Sequence, residues 1–411
     1  MDGNGFNSRL LLWIGGAVLL VASLAVGCDS DGGPSPRAES LARAELLPKP
    51  IPTATAGPDS TASIIHILSS TAEANFPESL TFHVEAESSH TITGIELRYR
   101  VRKITTVAVI TTISPDFAPG NKVETSWTWD TRKSSLPTGA EIEYKWVIGN
   151  SAGDRSETDW ATFTFEDSHH QWRELAEGDI RLFWYDGGDS FGRALMQAGQ
   201  TALVKLAQDT GAGLESTAKI YIYGNTSELH ESLIFPQEWT GGLTFAEYGI
   251  IVIGVSTNEQ DWGEKTVAHE LTHLVIHQMV SGPLSVLPTW LDEGLAMSSE
   301  RELRGDLQRM LENAIASDTL HSVRSLTGSF PADYDEAGLA YAQSYSLVRF
   351  LVDSYGGEKM LALLRVFKAG SSPDDALMEV YGFDLAGFEE LWRESLGLEA
   401  TAMAVTIAIL D

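Results

Sequence analysis

His269-Glu270-Leu271-Thr272-His273, followed downstream by Trp290-Leu291-Asp292-Glu293-Gly294-Leu295-Ala296, decides how this chain is read. On a helix, residues four apart lie one turn above each other, so His269 and His273 can offer their imidazoles to one ion. Glu270 points along the edge of that face, where it can take a proton from water without itself binding a metal. The surroundings favour a helix. Val267, Ala268, Leu271, Leu274 and Val275 form an apolar band, and no glycine or proline interrupts residues 264–280. Gly282-Pro283 is a stop signal.

A catalytic zinc site takes three protein ligands and leaves the fourth position open. Glu293 is the natural third ligand. It lies twenty positions after His273, beyond Pro288, with apolar Trp290, Leu291, Leu295 and Ala296 around it. A carboxylate buried among such side chains is costly unless it is paired or bound to a metal. Asp292 is the weaker ligand candidate, since only one of two adjacent helical positions normally faces the ion; the alternative is a helix-surface acid or an acid that supports the ligands. His277 reads as an ordinary polar helix residue, because three histidines plus Glu293 would fill the open position.

The paired segments resemble the gluzincin metallopeptidases, in particular the bacterial peptidase-MA-like family. The resemblance continues through Tyr341-Ala342-Gln343-Ser344-Tyr345-Ser346 and Tyr355-Gly356-Gly357-Glu358-Lys359 to a closing segment with Gly370, Ala376, Gly382 and Trp392, over residues 170–396. It implies a thermolysin-like α+β domain in which His269, His273 and Glu293 hold Zn2+ and Glu270 is the catalytic glutamate. One position departs from the best-known gluzincins. They place an acid one turn after the glutamate ligand to orient the first histidine, and Met297 stands there in this chain. An acid or carbonyl from elsewhere must therefore steady His269, or the site is weaker.

This ligand set suits hydrolysis of a peptide bond. Zinc polarises the carbonyl and acidifies its water, and Glu270 moves the proton from that water to the leaving amine. The oxyanion needs a further donor, for which Tyr341 is the first candidate and Tyr345 the second. Each can equally be a core aromatic with a bonded hydroxyl. Two other readings stand beside a peptidase. One is a binding or scaffold protein with a degenerate peptidase-like domain, which the intact Glu270 argues against. The other is a zinc amidase acting on cell-wall peptides.

Outward from the site, the organisation is multidomain. Arg9 precedes an apolar stretch at residues 10–26 that closes on Ala25-Val26-Gly27-Cys28. This is similar to a bacterial lipoprotein signal, which implies lipidation of Cys28. An uncleaved N-terminal anchor is the alternative. Either way residues 1–27 form a signal or membrane anchor, and the folded part is expected outside the cytoplasm, tethered to the membrane. Cys28 is the only cysteine, so no intrachain disulfide can form. Residues 28–61, rich in proline, serine and threonine, read as a linker.

Residues 62–167 switch to short alternating runs such as Leu80-Thr81-Phe82-His83-Val84. About seven of them in roughly a hundred residues predict an all-β sandwich of immunoglobulin or fibronectin type. Residues 168–396 then predict the zinc domain, with strands at 180–185, 219–223 and 250–253 and a helix at 194–207. The strand at 250–253, just before the zinc helix, is the expected edge for an extended peptide. Helices are expected near 301–316, 335–354, 357–369, 373–380 and 387–395, with a cleft between sheet and helices. An apolar tail, 397–411, closes the chain and is too short to span a bilayer. With 57 acids against 28 bases, a net charge of −29, and no lysine-arginine cluster, nucleic acid is not an expected partner. The expected partners are a peptide or protein substrate and the membrane.

Overall fold

The computed structural model describes residues 65–398, apart from 105–107, 235–240, 283 and 301. The expected leader, Cys28, the linker and nearly all of the apolar tail lie outside the described residues.

The N-terminal half is a seven-stranded sheet. Its strands are β1 (Ile65–Asn75), β2 (Ser79–Val101), β3 (Thr111–Ile113), β4 (Gly120–Asp130), β5 (Ala140–Asn150), β6 (Arg155–Glu157) and β7 (Ala161–Phe165). At 23 residues β2 is too long for one layer, and it serves two. Its first part pairs with β1 and β4; after register shifts around Ile92, its second part pairs with β5 and β3. The strand thus folds the sheet onto itself. Alternate residues Leu80, Phe82, Val84 and Ala86 from the first part and Ile95, Leu97 and Tyr99 from the second are buried in one core. Phe82 stacks on Tyr99 with ring centroids 6.0 Å apart and meets the edge of Tyr144 at 5.0 Å.

The second half builds a five-stranded mixed sheet in the order β11-β12-β10-β9-β8. Its strands are β8 (Arg173–Glu177), β9 (Ile180–Trp184), β10 (Ala218–Tyr223), β11 (Gly242–Phe245) and β12 (Ile250–Gly254). The helices are α1 (Asp189–Thr210), α2 (Thr226–Ser232), α3 (Gln260–Val280), α4 (Thr289–Ser299), α5 (Gly305–Ser317), α6 (Tyr334–Tyr355), α7 (Gly357–Lys368), α8 (Pro373–Tyr381) and α9 (Leu385–Ser395). Strands β9, β10 and β12 run parallel, while β8 and β11 add antiparallel edges. This corrects one expectation. The strand at 250–253 is internal, flanked by β10 and β11, and the edge beside the zinc helix is β11.

The parallel strands are apolar on both faces because both faces are covered. Ile180, Leu182, Ile220, Ile222, Ile251 and Ile253 pack against Leu195 of α1 and Val267, Leu271 and Leu274 of α3. The opposite face, with Phe183, Tyr221, Tyr223, Ile250 and Val252, shares one continuous core with the β1–β7 layers. Ion pairs Lys219–Glu141 at 2.7 Å and Lys103–Glu247 at 2.6 Å rim that junction.

On its far side α3 contributes Val275, Ile276, Met279 and Val280 to a helical core with Trp290, Leu351, Leu363, Phe388 and Trp392. A helix apolar all round belongs in an interior, and α3 lies between the sheet and the helical lobe. It ends at Val280, as the Gly282-Pro283 stop predicts, and α4 starts directly after Pro288. The five helices expected after Glu293 are all present. The first begins at Gly305 rather than 301, because Arg304 is extended.

Candidate metal centre

The ligand pair follows from α3 being continuous through residues 260–280. His269 and His273 are buried, and their Nε2 atoms face each other 3.2 Å apart. α4 crosses α3 and brings Glu293, 3 % exposed, to the same point. Its Oε2 lies 3.5 Å from His269 Nε2 and 3.6 Å from His273 Nε2. Oε2 is buried with no hydrogen-bond partner. The approach that α4 needs is set by Gly294. A Cβ there would stand 2.3 Å from the Ser344 carbonyl oxygen of α6, so only glycine lets the two helices close behind Glu293.

The outer nitrogens of both rings are held by acids. His273 Nδ1 is 3.0 Å from Asp292 Oδ1, and His269 Nδ1 is 2.9 Å from Glu300 Oε1. Glu300 caps the C-terminal end of α4, two turns beyond Glu293, and supplies the acid that Met297 does not. With each Nδ1 proton given to a carboxylate, both Nε2 lone pairs are left for an ion. Asp292 Oδ2 also contacts His277 Nε2 at 2.9 Å. His277 therefore sits behind the ligands, as a polar helix residue.

Two trios of metal-ligating groups occur among the described residues: His269, His273 and Glu293, and His273, His277 and Asp292. In the second trio Asp292 already bonds both rings. In the first, three donor atoms converge and a buried carboxylate oxygen lacks any hydrogen-bond partner. Neutral imidazoles and one carboxylate suit zinc, and the fit belongs to the first trio.

The charges around this point act as one cluster. Burial opposes protonation of His269, yet the nearby carboxylates of Glu293 and Glu300 outweigh burial and hold its pKa up at about 9. His273 is raised well above its ordinary value in the same way, with burial overcome by Asp292 and Glu293. For Glu293, burial is outweighed by His273 and His269 and the pKa is lowered. Asp292 is held down likewise by His277 and His273, against the cost of its burial. This site wants positive charge at its centre.

Glu270, 3 % exposed, lies against β11. Thr244 Oγ1 donates to Glu270 Oε2 at 2.7 Å and lies 3.0 Å from the Glu270 carbonyl oxygen. Two residues earlier on that strand, Gly242 leaves room for the carboxylate, since a Cβ there would stand 2.9 Å from Glu270 Oε1. Tyr341 is buried on α6 with its ring edge-on to Phe330. Burial first, then the charges of Glu293, Glu270 and Asp292, push its hydroxyl pKa well up, so it stays a neutral donor. Tyr345 instead lines an open cavity of about 510 Å3 with Glu300, Lys205 and Arg349.

Of the residues singled out from sequence, His269, Glu270 and His273 lie on α3, Glu293 on α4 and Tyr341 on α6, while Tyr345, also on α6, lines the separate cavity. Sequence reasoning missed Glu300, Gly242 and Thr244. The missing acid at Met297 was the one signal for Glu300, and the pair Gly241-Gly242 the one for a tight approach.

Residues 198–397 match the family model described as the Peptidase MA superfamily. The match runs from within α1 to just past α9 and contains every residue of the site. Together with the ligand geometry it supports a gluzincin-type peptidase domain behind a sheet-rich N-terminal region. No curated protein matches the chain.

Among solved structures, a two-domain M1 zinc metallopeptidase bound to L-arginine, solved as a point mutant, is 12 % identical. It covers 79 % of this chain and 91 % of its own at a TM-score of 0.37. An M1 zinc metallopeptidase from Deinococcus radiodurans is 13 % identical over 77 % of this chain and 89 % of its own, with a TM-score of 0.32. OgpA from Akkermansia muciniphila is 11 % identical over 25 % of this chain, which spans only 27 % of that protein, with a TM-score of 0.20. Such low TM-scores leave the assignment resting on the family match and on the site's own geometry.

Proposed function

We propose that this chain is a membrane-tethered, extracytoplasmic zinc peptidase in which His269, His273 and Glu293 hold the ion and Glu270 is the general base. One observation carries the reading. Two imidazole Nε2 atoms and a buried, unbonded carboxylate oxygen converge, and the residue next to the first ligand carries a second buried carboxylate that bonds to β11 and not to the trio's convergent atoms among the described bonds. A zinc ion in that trio would supply Lewis-acid activation of water and of the scissile carbonyl.

The remaining steps belong to the chain itself. Glu270 takes the proton of the attacking water on a carboxylate oxygen and returns it to the nitrogen of the leaving amine. Tyr341, kept neutral by its surroundings, donates to the developing oxyanion. Among the described residues β11 pairs only with β12, so its outer edge offers backbone groups to an extended peptide, and with no clear amine-binding glutamate motif upstream in the sequence endopeptidase cleavage is preferred to aminopeptidase cleavage. The N-terminal layers are read as a sandwich of immunoglobulin or fibronectin type that buttresses the catalytic sheet. Lipidated Cys28, or an uncleaved anchor at residues 10–26, provides the tether. With 57 acids against 28 bases, nucleic acid is not among the proposed partners.

The test is zinc content together with cleavage of a mixed peptide library, by the wild type and by Glu270→Gln. One zinc per chain in both proteins, with cleavage in the wild type alone, is the expected result. Folded protein that takes up no zinc from supplemented buffer would sink the ligand assignment. Zinc without cleavage that depends on Glu270 would sink the peptidase.

A further inference from the structure

β11 carries a hydroxyl that the ligand set does not use. Strand residues two apart share a face, so Gly242 and Thr244 both look towards α3, while Leu243 and Phe245 pack against the core shared with the β1–β7 layers. The inward face does two things to Glu270. Gly242 leaves the space in which its Cγ and Oε1 lie, and Thr244 donates to Oε2 at 2.7 Å. A free carboxylate on a side chain with three rotatable bonds has many placements. A donor on one oxygen and a close backbone wall at the other leave few.

We propose that Thr244 is a positioning residue for Glu270, fixing one carboxylate oxygen so that the other is presented for proton transfer. This rests on the peptidase reading for its chemical meaning, although the bond itself is independent of it. Thr244 Oγ1 reaches both the carboxylate and the carbonyl oxygen of Glu270, and its proposed role runs through that residue. Because it stands on the edge strand, the base is referenced to the element proposed to seat the peptide, not to the helix that carries the ligands.

The experiment compares full-length wild type with Thr244→Val, which keeps the shape but loses the donor, and Thr244→Ser, which keeps the donor. Three quantities are measured: zinc affinity, binding of acetohydroxamate to the zinc-loaded protein, and kcat and KM on a peptide that the wild type cleaves. Acetohydroxamate is a small chelator that gives up its hydroxyl proton to a neighbouring base as it binds. Losing a hydrogen bond to a charged group predicts that Thr244→Val lowers both kcat and acetohydroxamate affinity by about ten- to a hundredfold. Zinc affinity and KM should stay at wild-type values, and Thr244→Ser should restore both losses. Thr244→Ala, should valine not fold, is expected to show the same split.

Wild-type kcat and acetohydroxamate affinity in Thr244→Val would overturn the proposal, as would a Thr244→Ser as impaired as the valine variant. A wild type that binds zinc and acetohydroxamate but cleaves no peptide would count against the peptidase reading alone. The acetohydroxamate comparison would still decide the role of Thr244.

Discussion

Replacing Glu300 by alanine should weaken zinc binding without unfolding the protein. Glu300 Oε1 sits 2.9 Å from His269 Nδ1, and both side chains are about nine-tenths buried. Without the carboxylate, the Nδ1 proton loses a charged acceptor, which costs about 1–3 kcal/mol. The ring has a cheaper alternative, namely to move its proton to Nε2, but that atom is a proposed ligand. Either way the cost falls on metal binding. At about 1.4 kcal/mol per tenfold, the loss corresponds to roughly five- to 150-fold in affinity, overlapping the ~10–100-fold range for outer partners of ligating histidines. Glu300→Gln keeps a carbonyl acceptor but no charge, and should lose less. The assay is competition against a chelator of known zinc affinity at fixed pH, with thermal unfolding of the zinc-free proteins as control. A Glu300→Ala protein that binds zinc as tightly as the wild type would refute the reasoning and leave the gap at Met297 without an answer.

Zinc affinity should also depend on pH. The pKa of His269 is raised from 6.5 to about 9, so in zinc-free protein its stabilising contribution is full below 6.5 and is lost as pH rises through about 9. Zinc must displace that proton, so chelator competition should show affinity climbing over the same interval; a flat profile would contradict the cluster described. Gly294→Ala pushes a methyl to within 2.3 Å of the Ser344 carbonyl, and prising α4 from α6 should cost about 1–3 kcal/mol in urea unfolding. Tyr341→Phe should lower kcat with zinc content unchanged, and identical kcat values would return Tyr341 to the core. Starting the chain at residue 168 uncovers Phe183, Tyr221, Tyr223, Ile250 and Val252, and the product should aggregate or bind a hydrophobic dye where the whole protein does not.

Those buried tyrosines show where reading the sequence stops. Lys219-Ile220-Tyr221-Ile222-Tyr223 announces a strand, and period two assigns its faces, but nothing local says that the tyrosine face is covered by another part of the chain. The zinc helix was legible because its signals are local: ligand spacing, an unbroken apolar run and a Gly-Pro stop. Glu293 was legible because a carboxylate among apolar residues must be compensated. β11 was not, since Gly242-Leu243-Thr244-Phe245 is four residues long and follows a glycine, which reads as a turn. Strand order is a long-range property, so placing residues 250–253 at the edge was an inference from chain order that the topology reverses. Glu300 stands just past the last residue of α4, beyond the motif, and only its approach to His269 in three dimensions gives it a role.

The enclosure of α3 has a kinetic side. Its residues contribute to two cores, one against the sheet and one within the helical lobe, so no local opening frees its backbone. Amide hydrogens at its centre should exchange only through global unfolding and mark the slowest-exchanging segment of the protein, whereas those of the terminal α9 should exchange through smaller openings. Two of the three proposed zinc ligands ride on that slowest segment, and their spacing persists for as long as the molecule stays folded.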